Sequence, residues 1–137
     1  MNWAQSLIKL SNFEVEILQK RLAEIVDRKT AAEMKLVMLS AEGEAESLRA
    51  HEDAEAGWYH LGFQQGLKLR KQACQAEIHA IGMEEQGARD ALSEAFEALK
   101  KYEQVAESAR LAQVKEALRR ETAALDELGL RKAVGHR

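Results

Sequence analysis

The sequence contains no proline. At ordinary usage, roughly 5%, a chain of this length would hold about seven. A helix interior excludes proline because the ring removes a donor and clashes with the preceding turn. Its absence favours unbroken helix and argues against a disordered Pro-rich linker. Cysteine is nearly missing too, with Cys74 standing alone. No intramolecular disulfide is possible, which fits a reducing cytoplasm. Aromatics are only 5% of the 137 residues, few for the core of a compact globule. No apolar run approaches the roughly 20 residues that span a bilayer. Residues 1–16 lack the basic stretch, apolar run and small-residue cleavage site of a signal peptide. The chain reads as a soluble protein.

What is present is Ala, Leu, Glu, Lys, Arg and Gln, the composition of long helices and coiled coils. The formal net charge of −3 disfavours nucleic acid as a partner. Charge is unevenly spread: both chain ends are slightly basic, and residues 36–109 carry seven Lys/Arg against fourteen Asp/Glu. Blocks this weak read first as solvated helix faces.

A three/four spacing runs through Ile8, Ser11, Val15, Leu18, Leu22, Ile25, Lys29, Ala32, Leu36, Leu39 and Gly43. A 3.5-residue repeat holds one stripe against a partner helix. Lys29 and Gly43 are its defects. Leu7, Leu10, Ile17 and Met38 widen the stripe, which predicts broader burial near the start of the helix. A second stripe follows Ile78, Ile81, Glu85, Ala88, Leu92, Ala95, Leu99, Tyr102, Ala106 and Ala109. It shifts phase to Leu111, Val114, Leu118, Glu121, Leu125 and Leu128, a stutter in the repeat.

Between the stripes, residues 57–66 hold Gly57, Gly62 and Gly66. Each glycine costs about 1 kcal/mol in a helix interior relative to alanine. Three so close together predict a reversal near position 62. Two stripes that both need cover are satisfied by folding back on each other. The expected fold is all-α: a long antiparallel two-helix coiled-coil hairpin forming a single domain over 1–137. Its first arm spans about 3–56, its tip about 57–66, its second arm about 67–131, and a flexible tail about 132–137. This reversal would set Gly43 roughly opposite position 81, where close backbone approach and simple loosening are equal readings.

Catalytic motifs are missing: there is no phosphate-binding glycine loop, no Gly-x-Ser-x-Gly and no His-Glu-x-x-His. His51, His60, His79 and His136 are not spaced as ligands, so no metal and no cofactor is expected. A cation near Cys74 could lower its pKa, but the residue reads as a small seam side chain. The chain is expected not to be an enzyme. Trp58, Tyr59 and Phe63 cluster in the glycine-flanked segment, either closing the hairpin end or offering a hot spot for a partner. Trp3 and Phe13 lie near Leu7 and Leu10, either as an ordinary seam terminus or as a greasy rod end.

The stretch Ser6-Leu7-Ile8-Lys9-Leu10-Ser11-Asn12-Phe13-Glu14-Val15-Glu16, followed by Gln19-Lys20-Arg21-Leu22-Ala23-Glu24-Ile25, resembles the opening of the flagellar export protein FliJ family. Lys115-Glu116-Ala117-Leu118-Arg119-Arg120-Glu121 and Ala124-Leu125-Asp126-Glu127-Leu128 resemble the family's charged closing segment. The family is similar in architecture to the central stalk of rotary ATPases. The resemblance implies a non-enzymatic stalk of the type III flagellar export apparatus. Such a stalk would be cytoplasmic, at the flagellar base, and touch the membrane only through partners. The implied partners are the hexameric export ATPase, the cytoplasmic domain of the export-gate platform protein, and export chaperones; the chain alone would be a monomer. For the ATPase end the candidate residues are Leu7, Leu10, Phe13, Leu125, Leu128 and Arg131. For the gate contact they are Trp58, Tyr59, Leu61 and Phe63. Competing expectations are the stalk of a virulence type III secretion system and a generic coiled-coil adaptor.

Overall fold

A computed structural model of the chain describes residues 3–52 and 54–135, and all of them are helical. Helix α1 spans Trp3–Glu52 and helix α2 spans Ala54–Gly135. Asp53, and His136 and Arg137 of the expected tail, lie outside the described residues. Among those described there is no strand and no positive φ. The architecture is the all-α antiparallel two-helix coiled coil that the stripes imply. The residues form two compact units, Val15–Glu94 and Met1–Glu14 with Ala95–Arg137.

In the first unit, α1 packs along the start of α2. Ile25, Ala32, Ile81 and Ala88 form one buried cluster, flanked by Leu22 and Ile78. Leu39, Leu67 and Cys74 form another, flanked by Leu36 and Phe63. All are seam positions of their helices, so the three/four repeat of α1 is the buried face from end to end. The Cys74 thiol donates a hydrogen bond to the Ala32 carbonyl at 3.2 Å, and its packing is that of a small seam residue.

The two defects of the α1 stripe are each matched across the seam. Lys29 Nζ lies 3.3 Å from Glu85 Oε1, so the charged residue of one stripe meets the charged residue of the other. Hydrogen bonds from Arg89 and then Lys29 hold the Glu85 carboxyl below the usual carboxylate range. Arg28 reaches across to both carboxylate oxygens of Glu84, at 3.0 and 3.1 Å. Gly43 faces Leu67: a Cβ at Gly43 would fall 2.6 Å from Leu67 Cδ2. A charged seam pair of this kind fixes register more than it adds stability.

This register differs from one centred at position 62, which would have set Gly43 near position 81. The glycine-flanked segment 57–66 lies inside α2. Glycine lowers helix propensity without forbidding helix, and the neighbouring seam residues Phe63 and Leu67 keep these turns against α1. The broader burial expected near the start of α1 is also absent. Leu10, Ile17 and Met38 are exposed, and Leu7 is half-buried. One partner helix covers one stripe and leaves these side chains open.

Glycines that touch nothing should behave oppositely to Gly43. An added Cβ at Gly87 meets no atom within 4 Å, so Gly87→Ala is expected to stabilise by about 1 kcal/mol through helix propensity. Gly43→Ala must displace the buried Leu67, and overpacking of about 1–3 kcal/mol cancels or exceeds the same gain. Thermal melts followed at 222 nm compare the two. Equal upward shifts would show that Leu67 swings aside without cost.

In the second unit, Ala4 and Ser11 of α1 are buried, as are Ala95 and Leu99 of α2, with Tyr102 and Ala106 half-buried. Beyond Ala106 the cover ends. From Glu107 to Gly135 every residue is exposed except the half-buried Glu116. This part of α2 is held by its own chemistry. Arg110 pairs with Glu107 and Arg119 with Glu116, both at 2.8 Å, and Arg131 pairs with Glu127 at 2.9 Å. Such i,i+3 and i,i+4 pairs each stabilise a helix by a few tenths of a kcal/mol.

Candidate functional site

Among the described residues no group of three or more His, Cys, Asp or Glu could hold a metal ion. Among the described residues, no helix is long and apolar enough to cross a membrane. The surfaces left open by the packing are apolar, and each has a definite place.

The first is the exposed part of α2. Leu111, Val114, Leu118, Leu125 and Leu128 keep a three/four repeat and are all exposed. Leu130 and Val134 add apolar area on neighbouring faces. A stripe of this kind is the contact face of a coiled coil, and here it lacks its second helix. Arg131, at its far end, is held by Glu127. Exposed apolar residues also mark the beginning of α1, where Trp3, Leu10 and Phe13 stand in solvent and Leu7 is half-buried.

These residues do not form one patch. The start of α1 packs where Ala95, Leu99 and Tyr102 are covered, whereas Leu125 lies about 27 Å further along α2 than Glu107. Leu7, Leu10 and Phe13 are thus separated along the helix from Leu125, Leu128 and Arg131. Sequence alone suggests their union because it gives the two helices similar lengths.

The second surface lies at the other end of α1, in the Val15–Glu94 unit. Trp58 is 83% exposed and Tyr59 73%, with Leu61 exposed beside them. Phe63 parts company with these three. It packs against the Leu39–Leu67–Cys74 cluster, and the Arg70 guanidinium sits 5.9 Å from its ring centre. The aromatic segment therefore does both things its sequence allows: Phe63 helps close the helix pair while Trp58 and Tyr59 face solvent. Nearby, Gly43, Ser47, Leu48, Phe63, Leu67 and Lys71 line an open groove between the helices. At Gly43 the missing side chain is replaced by Leu67, whose Cδ2 occupies that side of the groove. Elsewhere in α2, His60 Nδ1 is buried without a hydrogen-bond partner.

A third surface is the outer face of α1, where Met34, Val37, Met38 and Leu48 are exposed. Sequence reading absorbs Met38 into the seam. The signal that separates it is phase, because these residues repeat at positions offset from Leu36, Leu39 and Gly43.

No family model matches the chain, and no solved structure does. Two curated proteins do match, each called flagellar FliJ protein. They come from Caulobacter vibrioides strain NA1000 / CB15N and from strain ATCC 19089 / CIP 103742 / CB 15. Each is 54% identical over 131 residues, covering 96% of this chain and 94% of the relative.

Proposed function

Since the chain belongs to the flagellar FliJ family, we propose that it is a non-enzymatic stalk of the flagellar type III export apparatus. Its ATPase-facing surface is the uncovered stripe of α2 that contains Leu125, Leu128 and Arg131, with Leu7, Leu10 and Phe13 as a separate contact. Its gate-facing surface is Trp58, Tyr59 and Leu61, with Phe63 holding that segment in place. Export chaperones are further partners. The protein works in the cytoplasm at the flagellar base and meets the membrane through these partners. The flagellar name of the relatives favours this reading over a virulence secretion stalk.

The observation that carries the proposal is the contrast along α2. The same helix has its apolar stripe buried up to Leu99 and exposed from Leu111 onward. A sustained stripe in water costs solubility unless another surface covers it. A helix inserted into a hexameric ring contacts the subunits unequally. Unequal contact favours closure of some nucleotide-binding interfaces over others, which couples the ring to whatever holds the stalk's other surface. The ATPase performs the hydrolysis and this chain contributes asymmetry.

Titrating the chain into the flagellar export ATPase tests the proposal. The expected result is a saturable rise in hydrolysis rate together with a larger sedimenting ATPase species. A rate and an oligomer size that both stay flat through the titration would refute it.

A further inference from the structure

The outer face of α1 carries a repeat that neither helix pairing nor the ATPase and gate contacts use. Ala31, Met34, Met38, Ala41, Ala45 and Leu48 recur at three/four spacing, and all six are exposed. They point away from the seam of Ala32, Leu36, Leu39 and Gly43. Lys20, Glu24 and Asp27 occupy the preceding positions of the same phase, so the apolar stripe is confined to residues 31–48, about 27 Å of helix. Met34 is 56% exposed, Met38 64% and Leu48 65%. A three/four apolar repeat takes a helix as its partner.

We propose that this face pairs with the same face of a second copy of the chain, antiparallel, about a two-fold axis between Leu39 and Ser40. Reversed upon itself, the stripe is complementary in size. Met38 meets the second copy's Ala41, Met34 meets its Ala45, and Leu48 meets its Ala31. Every large side chain faces an alanine, so the layers interdigitate. A parallel pairing would set methionine on methionine and alanine on alanine, leaving alternate clashes and holes. The antiparallel alignment is complementary in charge as well. Lys35 borders the stripe on one edge and falls beside the second copy's Glu42, and symmetry makes this pair twice. Within its own chain Glu42 is engaged by Arg70 at 3.9 Å, an exposed contact easily given up. The stripe is short, well below the roughly 1,600 Å² of a standard stable interface. The dimer is therefore weak and reversible, populated at high concentration, with the monomer prevailing when dilute.

Sedimentation equilibrium of the full chain, from about 5 to 500 µM, reads this association in the range a sub-standard interface allows. The mass is expected to rise with concentration from the 15.4 kDa of one chain towards twice that. Met38→Glu should remain monomeric throughout. Lys35→Glu and Glu42→Lys should each weaken association about tenfold by setting like charges opposite each other. The double variant should regain most of the loss. Leu118→Glu, on the open stripe of α2, should associate as the parent does. Circular dichroism melts of each variant establish that the helix pair is intact. A parent chain that is monomeric at the top concentration overturns the proposal and leaves this face to a different helical partner. Association that survives Met38→Glu, or a double charge reversal no better than either single one, overturns it as well.

Discussion

Replacing Ile25 by aspartate is expected to abolish cooperative folding of the α1–α2 pair at room temperature. Ile25 is 2% exposed and sits against Ala32, Ile81 and Ala88, with Leu22 and Ile78 beside it. Removing the side chain alone costs about 2–5 kcal/mol, from lost transfer energy and the cavity left behind. Placing a carboxylate there adds a desolvation cost of several kcal/mol, which the seam cation Lys29, one turn away, offsets only in part. A two-helix seam has a thin core, and small folds hold only about 5–15 kcal/mol of stability in all. The substitution consumes most of that. Ile25→Val, which removes one methylene, should cost only about 1 kcal/mol. Thermal and urea melts at 222 nm separate these cases. An Ile25→Asp chain that melts with the parent's midpoint and steepness would show that this layer is not what joins the helices.

The second large effect falls on binding. On the proposed function, Leu125→Glu combined with Leu128→Glu is expected to eliminate stimulation of the export ATPase while leaving the melt unchanged. Both side chains are exposed and lie where α2 has no partner helix, so the helix pair loses nothing when they become polar. Glutamate is also a good helix former. In a buried interface each such residue is worth about 2 kcal/mol or more as a hot spot, and two adjacent losses lower affinity roughly a hundredfold or beyond. The two measurements, stability and ATPase activation, should therefore separate for this variant and fall together for Ile25→Asp. If the variant with both leucines replaced stimulated the ATPase at the parent's half-saturating concentration, the stripe of α2 would not be the contact.

The paired face of α1 was legible residue by residue. Each position from Ile8 to Gly43 in the three/four series is buried or half-buried, and so is the second series from Ile78 to Ala106. Periodicity survives in a sequence because it reports which side of a helix is covered. Register is harder to read, because two periodic stripes can slide past each other by whole heptads with similar apolar contact. Glycine content drew the expected reversal towards position 62. The information that fixes the true offset lies in the exceptions: Lys29 answers Glu85, and the missing side chain of Gly43 answers the bulk of Leu67. Matching defect to defect would have aligned the helices from sequence. The candidate sites were legible as residue types but not as assemblies. Phe63 belongs half to the packing, and the start of α1 stands apart from Leu125 and Leu128, because the length of α2 beyond its cover depends on that same offset.

The matched exceptions have a mechanical consequence. Within the Val15–Glu94 unit, creep of α1 by one heptad in either direction would carry Lys29 off Glu85 and onto Ile78 or Leu92. It would also pull Leu67 out of the notch at Gly43. The two positions act as pegs in a rail, so a push along one helix is handed to its neighbour instead of being dissipated as slippage.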